Sequence, residues 1–578
     1  MRVRWRRTFV RRALTALLIL IVLFAGLIAL RWDAARQTLS HWTGEEELGE
    51  QVKGVIALGY LRLTRRPPDT DPLAPIAHTG LSPYGVNTFL EQEPDPDQVE
   101  RSLAMIADAG FAWIRQQFPW QDIEISAKGD FWDHKWDVDA WAKYDRIVDL
   151  AEKHGLQIIA RLDTPPAWSR RQGDAPGWTL APPDDFADYG DFVHAVVSRY
   201  KGRIRYYQIW NEPNIFPEWG DQPADAAAYT ELLKVAYRRA KEADPDCVII
   251  SAALAQTTEE TPAEFGPRNV SDLLYLEAMY AAGAKDHFDI LGAMLYGLWT
   301  GPYDLRTSRD RANVSRVQLL REIMVRHGDA RKPIWAAEVG WNALPEDFDG
   351  AAQYGRVTLE QQAHYATEAY QRAAREWPWM GVMNYWFFRR PSDAERGQAW
   401  YYFRMAEPDF TPMPVYAALA ELAQQPPVAY TGFHQEGHPA LRYGAGWELI
   451  DDPAAVLGSF AHGEAGATLE IPFDGNRLAL VLHGAEREGR VVVEVDGRPS
   501  HMERVWHESH TGATAVTVAW PRSAGPHRVT VRVEEGTLDL DGVIVWRARA
   551  PWAPWVLGGA TMALVAWGAA RLHRRRHV

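Results

Sequence analysis

An amide and a carboxylate stand side by side at the end of an apolar run, YYQIWNEP at 206–213. The run is typical of a short buried strand, and Pro213 cannot continue a strand ladder. We therefore predict that the strand stops at Asn211 and Glu212 and presents both polar side chains beyond its carboxyl end. In a parallel α/β barrel this is where the active site lies. The same residues also suit a plain turn, so this motif alone leaves both interpretations open.

A second carboxylate, Glu338, ends another apolar run, PIWAAE at 333–338. Two carboxylates that face each other across the mouth of a barrel are what glycosidic bond cleavage requires. One protonates the leaving oxygen, and the other attacks the anomeric carbon or activates a water. These roles need different surroundings, one that raises a pKa and one that keeps it low. A glutamate at a strand end can also cap the next helix, so the prediction depends on the pair.

Short apolar runs alternate with helical patterns from about residue 84 onward, and Gly or Pro turns separate them. Such alternation predicts parallel strands joined by crossover helices. Eight units fit a closed (β/α)8 TIM barrel. A doubly wound open sheet is the alternative, but no glycine-rich dinucleotide turn follows the first strand. The predicted strands are YGVNTF (84–89), WIRQQ (113–117), QIIARL (157–162), YYQIW (206–210), VIISAA (248–253), FDILGAML (288–295), PIWAAE (333–338) and GVMNYWFF (381–388).

The pattern changes to alternation with a period of two residues from about residue 430. Segments such as ATLEIPF (467–473), RVVVEVDG (490–497) and HRVTVRVEEG (527–536) are typical of half-buried strands. They predict an all-β sandwich, similar to the jelly-roll modules attached to many glycosidases. The pattern does not decide whether this domain binds glycan.

Two uncharged segments, 13–30 and 550–570, meet the length criterion for membrane-spanning helices. Six arginines precede the first segment and four follow the second, and neither tail contains an acidic residue. By the positive-inside rule both termini would stay in the cytoplasm and the rest of the chain would lie outside. We therefore predict a two-pass protein of the cell membrane, with the lipid bilayer as a partner.

The charge balance and the single cysteine exclude several classes of function. Without the ten arginines of the tails, 52 basic residues face 76 acidic ones, a net charge of about −24. Such a surface argues against nucleic acid or a strongly anionic polymer as a partner. Cys247 has no partner for an internal disulfide. With no CxxC, Cys/His array or P-loop in the sequence, we expect neither a metal nor a cofactor.

Together, the motifs WNEP at 210–213 and AEVGW at 337–341 resemble those of the retaining glycoside hydrolases of clan A. The chain is most similar to family 39, the β-xylosidases and bacterial exopolysaccharide hydrolases, with the cellulase-like enzymes of family 5 second. The resemblance covers about 84–425. It implies that Glu212 is the acid/base and Glu338 the nucleophile. It also implies that Asn211 bonds the sugar 2-hydroxyl, that Arg115 and Tyr296 hold Glu338 ionised, that Trp386 forms the floor of the sugar site and that Trp168 lines it.

Three further residues are weaker candidates for contacts with the sugar. Trp219 and Trp341 each lie within a few residues of a predicted catalytic glutamate, and sugars stack on aromatic rings. Asn87, near the end of the first strand, is the third. The family pattern often carries His-x-Tyr on strand 6, where this chain has Met294-Leu295-Tyr296. The missing histidine leaves the sugar identity open.

The predicted function is a membrane-anchored, extracytoplasmic retaining glycosidase that acts on a surface or extracellular polysaccharide. A non-catalytic glycan receptor and a transglycosylase that uses the same residues are the alternatives. The predicted domains are a basic tail (1–12), a transmembrane helix (13–30), a stalk and linker (31–80), the barrel (81–427), the β-sandwich (428–548), a second transmembrane helix (550–570) and a basic tail (571–578).

Overall fold

The computed structural model describes residues 32–261, 266–484, 490–500, 507–508, 514–521 and 523–547. The chain divides into two compact units. One takes in the chain up to Asp71 together with Ile76–Ala374 and Trp379–Gln425, and the other takes in Pro72–Pro75, Arg375–Pro378 and the chain from Pro426 onward.

Eight parallel strands of the first unit form one sheet, in the order β5-β4-β3-β2-β1-β8-β7-β6. Strands β4, β5, β7 and β8 are buried along their whole length and the other four along most of it, as expected where helices cover a parallel sheet. The strands are β1 (Tyr84–Thr88), β2 (Trp113–Pro119), β3 (Gln157–Asp163), β4 (Tyr206–Ile209), β5 (Val248–Ile250), β6 (Leu291–Tyr296), β7 (Ile334–Gly340) and β8 (Met380–Tyr385).

The two end strands of this order, β5 and β6, meet through single parallel bridges. Ile250 pairs with Ile290, and Leu254 pairs with Ala293. The backbone N–H of Ser251 also donates to the Ile290 carbonyl at 3.0 Å. The sheet therefore closes on itself as a nearly complete barrel, and the alternative of a doubly wound open sheet is wrong.

Aromatic side chains fill the end of the barrel where the strands begin. The ring centroid of Tyr206 lies 5.1 Å from that of Trp113 and 4.9 Å from that of Trp335. A Cβ at Gly381 would lie 2.0 Å from the indole nitrogen of Trp335, so only glycine fits there. This packing closes the end of the barrel where the strands begin. The polar side chains described below lie at the opposite end, where the strands finish.

Most helices of the first unit lie between successive barrel strands. Three of them begin at an aspartate whose carboxylate accepts backbone N–H groups of the first turn: Asp95, Asp185 and Asp225. The helices are α1 (Trp32–Thr43), α2 (Leu48–Thr64), α3 (Pro96–Asp108), α4 (Ala142–Lys153), α5 (Phe186–Arg199), α6 (Ala226–Ala243), α7 (Asp272–Ala281), α8 (Val317–Arg326), α9 (Leu359–Glu376) and α10 (Pro414–Ala423). A small hairpin pairs Trp132–Asp133 with Val138–Asp139.

The segment predicted to be a stalk contains the helix pair α1 and α2, which is held against the loop that follows β6. The backbone N–H of Gly301 donates to the Gly44 carbonyl at 2.8 Å. The Arg306 guanidinium donates to the Thr43 carbonyl at 2.7 Å and to the Glu45 carboxylate at 2.6 Å. The helix pair is therefore part of the same compact unit as the barrel.

The second unit is built from two antiparallel β-sheets. Inward-facing residues of both sheets form one core, which includes Ile471 and Val531 from one sheet and Leu480 and Val543 from the other. The strands of this unit are Gly432–Gln435, Arg442–Tyr443, Trp447–Asp451, Ser459–Gly463, Thr468–Gly475, Arg477–Leu482, Arg490–Val495, Arg498–Pro499, His507–Glu508, Thr514–Ala519, Gly525–Glu535 and Leu538–Trp546.

The predicted fold class needs one correction. None of the helices in the described ranges is both long and apolar enough to cross a membrane. Within the described residues the fold is therefore a (β/α)8 barrel with additional β-sheets, and the two flanking transmembrane helices of the predicted fold class are not among its elements. The two segments on which that prediction depended, 13–30 and 550–570, lie outside the described residues.

A buried ion pair joins α7 to the start of α8. Arg316 Nη2 lies 2.6 Å from Asp272 Oδ1, and both side chains are fully buried. Substituting Arg316→Met leaves the Asp272 carboxylate buried without its cation, which should lower the free energy of unfolding by about 3–5 kcal/mol. Denaturant titration of the barrel unit measures the change.

The matched control is Arg326→Met, which removes an exposed ion pair with Glu277 at the other end of α8. Exposed pairs contribute about 0–1 kcal/mol, so this variant should unfold close to the wild type. Equal losses of stability in the two variants would contradict the importance of burial.

Candidate active site

Glu338 lies on β7 with its carboxylate buried at the end of the barrel where the strands finish. Its Oε1 accepts a hydrogen bond from Arg115 Nη1 at 3.1 Å. Its Oε2 accepts one from the Tyr296 hydroxyl at 2.5 Å. Burial raises the pKa of Tyr296 well above its usual value, so this hydroxyl keeps its proton and donates. Both contacts stabilise the negative charge that a nucleophilic carboxylate needs.

Arg115, on β2, is held by three amide oxygens, one on β1, one on β4 and one just beyond the end of β4. Its Nε donates to Gln208 Oε1 at 2.8 Å, its Nη1 to Asn87 Oδ1 at 2.7 Å and its Nη2 to Asn211 Oδ1 at 2.7 Å. Burial lowers the pKa of Arg115 to about 10, which still leaves the side chain charged at neutral pH. The guanidinium is therefore a fixed positive charge beside Glu338.

Asn87 is buried behind this arginine. Its amide nitrogen donates to the Ala337 carbonyl at 2.9 Å, and its oxygen accepts from Arg115. In this arrangement both ends of its side chain are used inside the protein. The geometry favours a role in placing Arg115 over the direct contact with substrate that we predicted.

Glu212 follows β4 in a backbone conformation that few non-glycine residues adopt. Its φ is +41°, and that of Trp210 is +73°. Each such backbone conformation costs about 1–3 kcal/mol of folding free energy and persists only where the surrounding structure fixes it. Here the Glu212 N–H donates to the Ala253 carbonyl at 3.0 Å, and the Trp210 N–H donates to the Leu162 carbonyl at 3.0 Å. The turn directs the chain out of the sheet immediately after β4.

The electrostatic surroundings of Glu212 differ from those of Glu338. Burial and the negative charges of Glu338 and Glu218 raise the pKa of Glu212 well above its usual value. Arg115 and Arg161 act in the opposite direction without reversing the shift. Glu212 therefore holds a proton at pH values where an ordinary carboxylate has lost it, as a general acid must.

Glu218 is a third carboxylate of the site that the sequence analysis missed. It hydrogen-bonds with the side chain of Asn211, and burial is the main cause that raises its pKa to about 7. Asn211 is thus fixed from two sides, since its Oδ1 also accepts from Arg115. Glu218 lies in the loop after β4, where no periodic pattern marks a residue, and only its position six residues after Glu212 could have indicated it.

Two other residues that the sequence analysis did not identify, Arg161 and Tyr354, lie close to the glutamates of the site. Arg161 Nε lies 2.9 Å from Asp163 Oδ2 at the end of β3, and Arg161 lowers the pKa of both Glu212 and Glu218. Burial raises the pKa of Tyr354, in the loop after β7, and the negative charges of Glu212 and Glu338 add to this shift.

Two of the predicted sugar-binding tryptophans are partly exposed. Trp386 follows β8, and its ring centroid lies 5.4 Å from that of Phe89 in an edge-to-face arrangement. Trp168 donates from its indole nitrogen to the Glu124 carbonyl at 3.0 Å and packs edge-to-face on Trp120. Both keep part of their surface open to solvent, so their role in binding sugar stays a prediction.

The other two tryptophans occupy packing positions. Trp219 is 2% exposed and lies between the rings of Trp210 and Tyr229. Trp341 is fully buried against Gly297 and donates to the Thr300 carbonyl at 2.8 Å. Neither indole offers a free face for a sugar, which corrects the stacking role that we expected of them.

Met294 stands where the resembled family often carries a histidine. It is buried in a small apolar cluster with Ala253 and Ala337, against which Tyr296 packs. Tyr296 keeps its bond to Glu338 without a polar neighbour at this position. Methionine in place of histidine therefore makes this part of the site apolar, and the contacts of Glu338 remain.

Comparisons with known proteins find similar folds only. No family model and no curated protein matches the sequence. Among solved structures, a family 39 glycoside hydrolase from Bacteroides cellulosilyticus WH2 is 18% identical, with a TM-score of 0.44, over 80% of this chain and 83% of that one.

Two further matches are also family 39 enzymes. The enzyme from Xanthomonas axonopodis pv. citri is 14% identical, with a TM-score of 0.42, over 83% of this chain and 96% of that one. A β-xylosidase from Caulobacter crescentus is 14% identical, with a TM-score of 0.40, over 80% and 98%. Similarity at this level does not identify a function, which must come from the site residues.

Because the charge of Glu338 contributes to the raised pKa of Glu212, removing that charge should change the titration of Glu212. We expect Glu338→Gln to lower the pKa of Glu212, measured by carboxyl ¹³C NMR titration of glutamate-labelled protein. The exposed Glu346, in the loop after β7, provides the control. Glu346→Gln should leave the titration of Glu212 unchanged, and an unchanged pKa in Glu338→Gln would show that the two carboxylates do not interact.

Proposed function

We propose that this protein is a retaining glycosidase that cleaves O-glycosidic bonds by double displacement. The observation that carries the proposal is the difference in surroundings between two carboxylates, Glu212 just after β4 and Glu338 on β7. Glu338 receives hydrogen bonds from a guanidinium and a hydroxyl, whereas burial and nearby negative charge raise the pKa of Glu212. One carboxylate is suited to attack and the other to deliver a proton, which is the division of roles that glycosidic cleavage requires.

In the first half-reaction, Glu338 attacks the anomeric carbon while Glu212 gives its proton to the departing glycosidic oxygen. The C–O bond to the leaving group breaks, and an ester bond to Glu338 forms. In the second half-reaction Glu212, now ionised, takes a proton from water as the water attacks the same carbon and releases Glu338. Two inversions give net retention of configuration.

Side chains close to Glu212 and Glu338 indicate which part of the sugar would be bound. Asn211 contacts Arg115 and Glu218 and directly precedes Glu212 in the chain. This position suits the hydrogen bond to the 2-hydroxyl that the resemblance implies. A surface or extracellular polysaccharide is the proposed substrate, and the net charge of −14 suits a neutral or amine-bearing polymer better than an anionic one. A location outside the cytoplasm stays a prediction from the charge pattern of the sequence.

The catalytic roles are tested by turnover of aryl β-glycosides and extracted surface polysaccharides. Glu338→Ala should lower kcat by more than about 10⁴-fold, as loss of a nucleophile does. Glu212→Ala should lower it by about 10²–10⁴-fold, the usual contribution of a general acid. Azide should partly restore both variants, giving the α-glycosyl azide with Glu338→Ala and the β-glycosyl azide with Glu212→Ala.

The control is again Glu346→Gln, which should keep wild-type kinetics. If wild type turns over no substrate while both alanine variants bind glycan unchanged, the protein is a receptor and the proposal is wrong. Products longer than the substrate, increasing with added acceptor sugar, would identify a transglycosylase.

The pH dependence tests the assignment of the acid. Activity should fall as pH rises through the raised pKa of Glu212, because its proton is then lost before it can be delivered. Glu218→Gln removes one of the negative charges that raise this pKa. The alkaline limb of kcat/KM should therefore move to lower pH in this variant. A limb that stays in place or moves to higher pH would contradict the charge coupling between Glu218 and Glu212.

A further inference from the structure

Helix α2 carries an apolar face that no other part of the described chain covers. Its five exposed large apolar residues recur at spacings of three and four, so they lie on one side of the helix. Ile56 is 68% exposed, Tyr60 66% and Leu63 83%. The five are Leu48, Val52, Ile56, Tyr60 and Leu63, and we call this surface the apolar arc.

The apolar arc contains no charged residue. At about 100° per residue, its five members span about 120° of the helix circumference. Gly49 and Gly59 also fall within this sector, and a Cβ at either would meet nothing within 4 Å. A continuous exposed surface of this kind marks an interaction site.

The opposite side of α2 is fixed to the protein. Gln51 and Leu58 are buried, and the Gln51 amide donates to the Glu45 carbonyl at 2.9 Å. A Cβ at Gly54 would lie 2.7 Å from the Thr43 side chain, so α1 and α2 are in close contact there. The direction of the apolar arc relative to the barrel is therefore set by packing.

Charged residues of α2 flank the apolar arc in a pattern that suits a lipid surface. By the same helix geometry, Lys53 projects about 20° beyond Tyr60 and Arg62 about 40° before Leu48. Long basic side chains at the borders of an apolar face can keep their charges at the headgroups while the face enters the acyl region. Glu50 projects from the other side of the helix, and its carboxylate lies 2.6 Å from Lys53 Nζ in an exposed ion pair, which is worth little in water.

Other residues in and near the helix pair also suit contact with a lipid surface. Arg65 and Arg66 follow α2 directly, against a net charge of −14 for the whole chain. Trp32 and Trp42 of α1 are exposed, and tryptophan is enriched where a membrane meets water. The uncharged run 13–30 ends two residues before α1 and shares the preference for an apolar phase.

We propose that α2 is an interfacial helix that lies in the surface of a lipid bilayer, with the apolar arc in contact with the acyl chains. The contact is peripheral, made from one face of a helix that the barrel holds in place. Since α1 and α2 are bound to the loop after β6, the lipid contact lies at the end of the barrel that carries the glutamate pair.

Single cysteines in the full-length chain test the proposal. The native Cys247 is buried, and burial raises its pKa to about 12, so it does not compete for a thiol-reactive dye. Ile56→Cys and Leu63→Cys place an environment-sensitive dye on the apolar arc. Ala57→Cys, exposed on the other side of the same helix, is the matched control.

The labelled proteins are combined with vesicles of phosphatidylcholine and phosphatidylglycerol. We expect the dyes at positions 56 and 63 to shift to the blue, to lose quenching by aqueous iodide and to be quenched by nitroxide-labelled lipid, while the dye at position 57 stays accessible to iodide. Equal access to iodide at all three positions would overturn the proposal. Shielding at 56 and 63 before vesicles are added would also overturn it, since another protein chain or another segment of this one would then cover the apolar arc.

Discussion

The burial of one guanidinium organises the end of the barrel that carries Glu212 and Glu338. Arg115 is 2% exposed, and its donors reach side chains on β1, at and beyond the end of β4 and on β7. A buried cation is costly unless its donors are satisfied and an anion is near. Here amide oxygens take most of the N–H groups, and the single carboxylate Glu338 supplies the charge. The strands can carry this arginine only in the register that brings those acceptors together.

The difference between the two glutamates follows from this arrangement. Arg115 stabilises the charge of Glu338, and that charge in turn opposes ionisation of Glu212. In the proposed reaction the charge of Glu338 disappears when the ester to the sugar forms. The repulsion on Glu212 is then reduced at the stage where Glu212 must be ionised to accept a proton from water. One electrostatic contact thus favours the acid in the first half-reaction and the base in the second.

The sequence predicted the strand ends well and the loops poorly. Glu212 and Glu338 could be found because each ends an apolar run, and such runs are fixed by burial on both faces of a parallel sheet. Glu218 was missed, since the position of a loop residue depends on contacts that no periodicity records. Trp219 and Trp341 were misjudged for a related reason, because nearness along the chain to a catalytic residue does not place a side chain in the same cavity.

The segment predicted as a stalk and linker, 31–80, contains α1 and α2, and no local pattern predicted how these helices pack. Helix α2 uses Gly54 and Leu58 to pack on the protein and turns its larger apolar residues outward. Polar contacts hold the helix pair on the barrel unit: the Arg306 guanidinium donates to the Thr43 carbonyl and the Glu45 carboxylate. These residues are far apart in the sequence, so no local pattern could predict the contact.

The loop after β6 connects the proposed active site to the proposed lipid-binding helix α2. It begins directly after Tyr296, whose hydroxyl bonds Glu338, and a few residues later Gly301 bonds Gly44 at the end of α1. A helix that lies in a lipid surface would therefore hold the mouth of the barrel at a fixed distance from that surface. Such a geometry suits a long polymer held near the membrane, because successive segments can reach the same site without the enzyme leaving the surface. A small soluble glycoside would gain nothing from it, so the proposed lipid contact of α2 and the proposed polysaccharide substrate agree with each other.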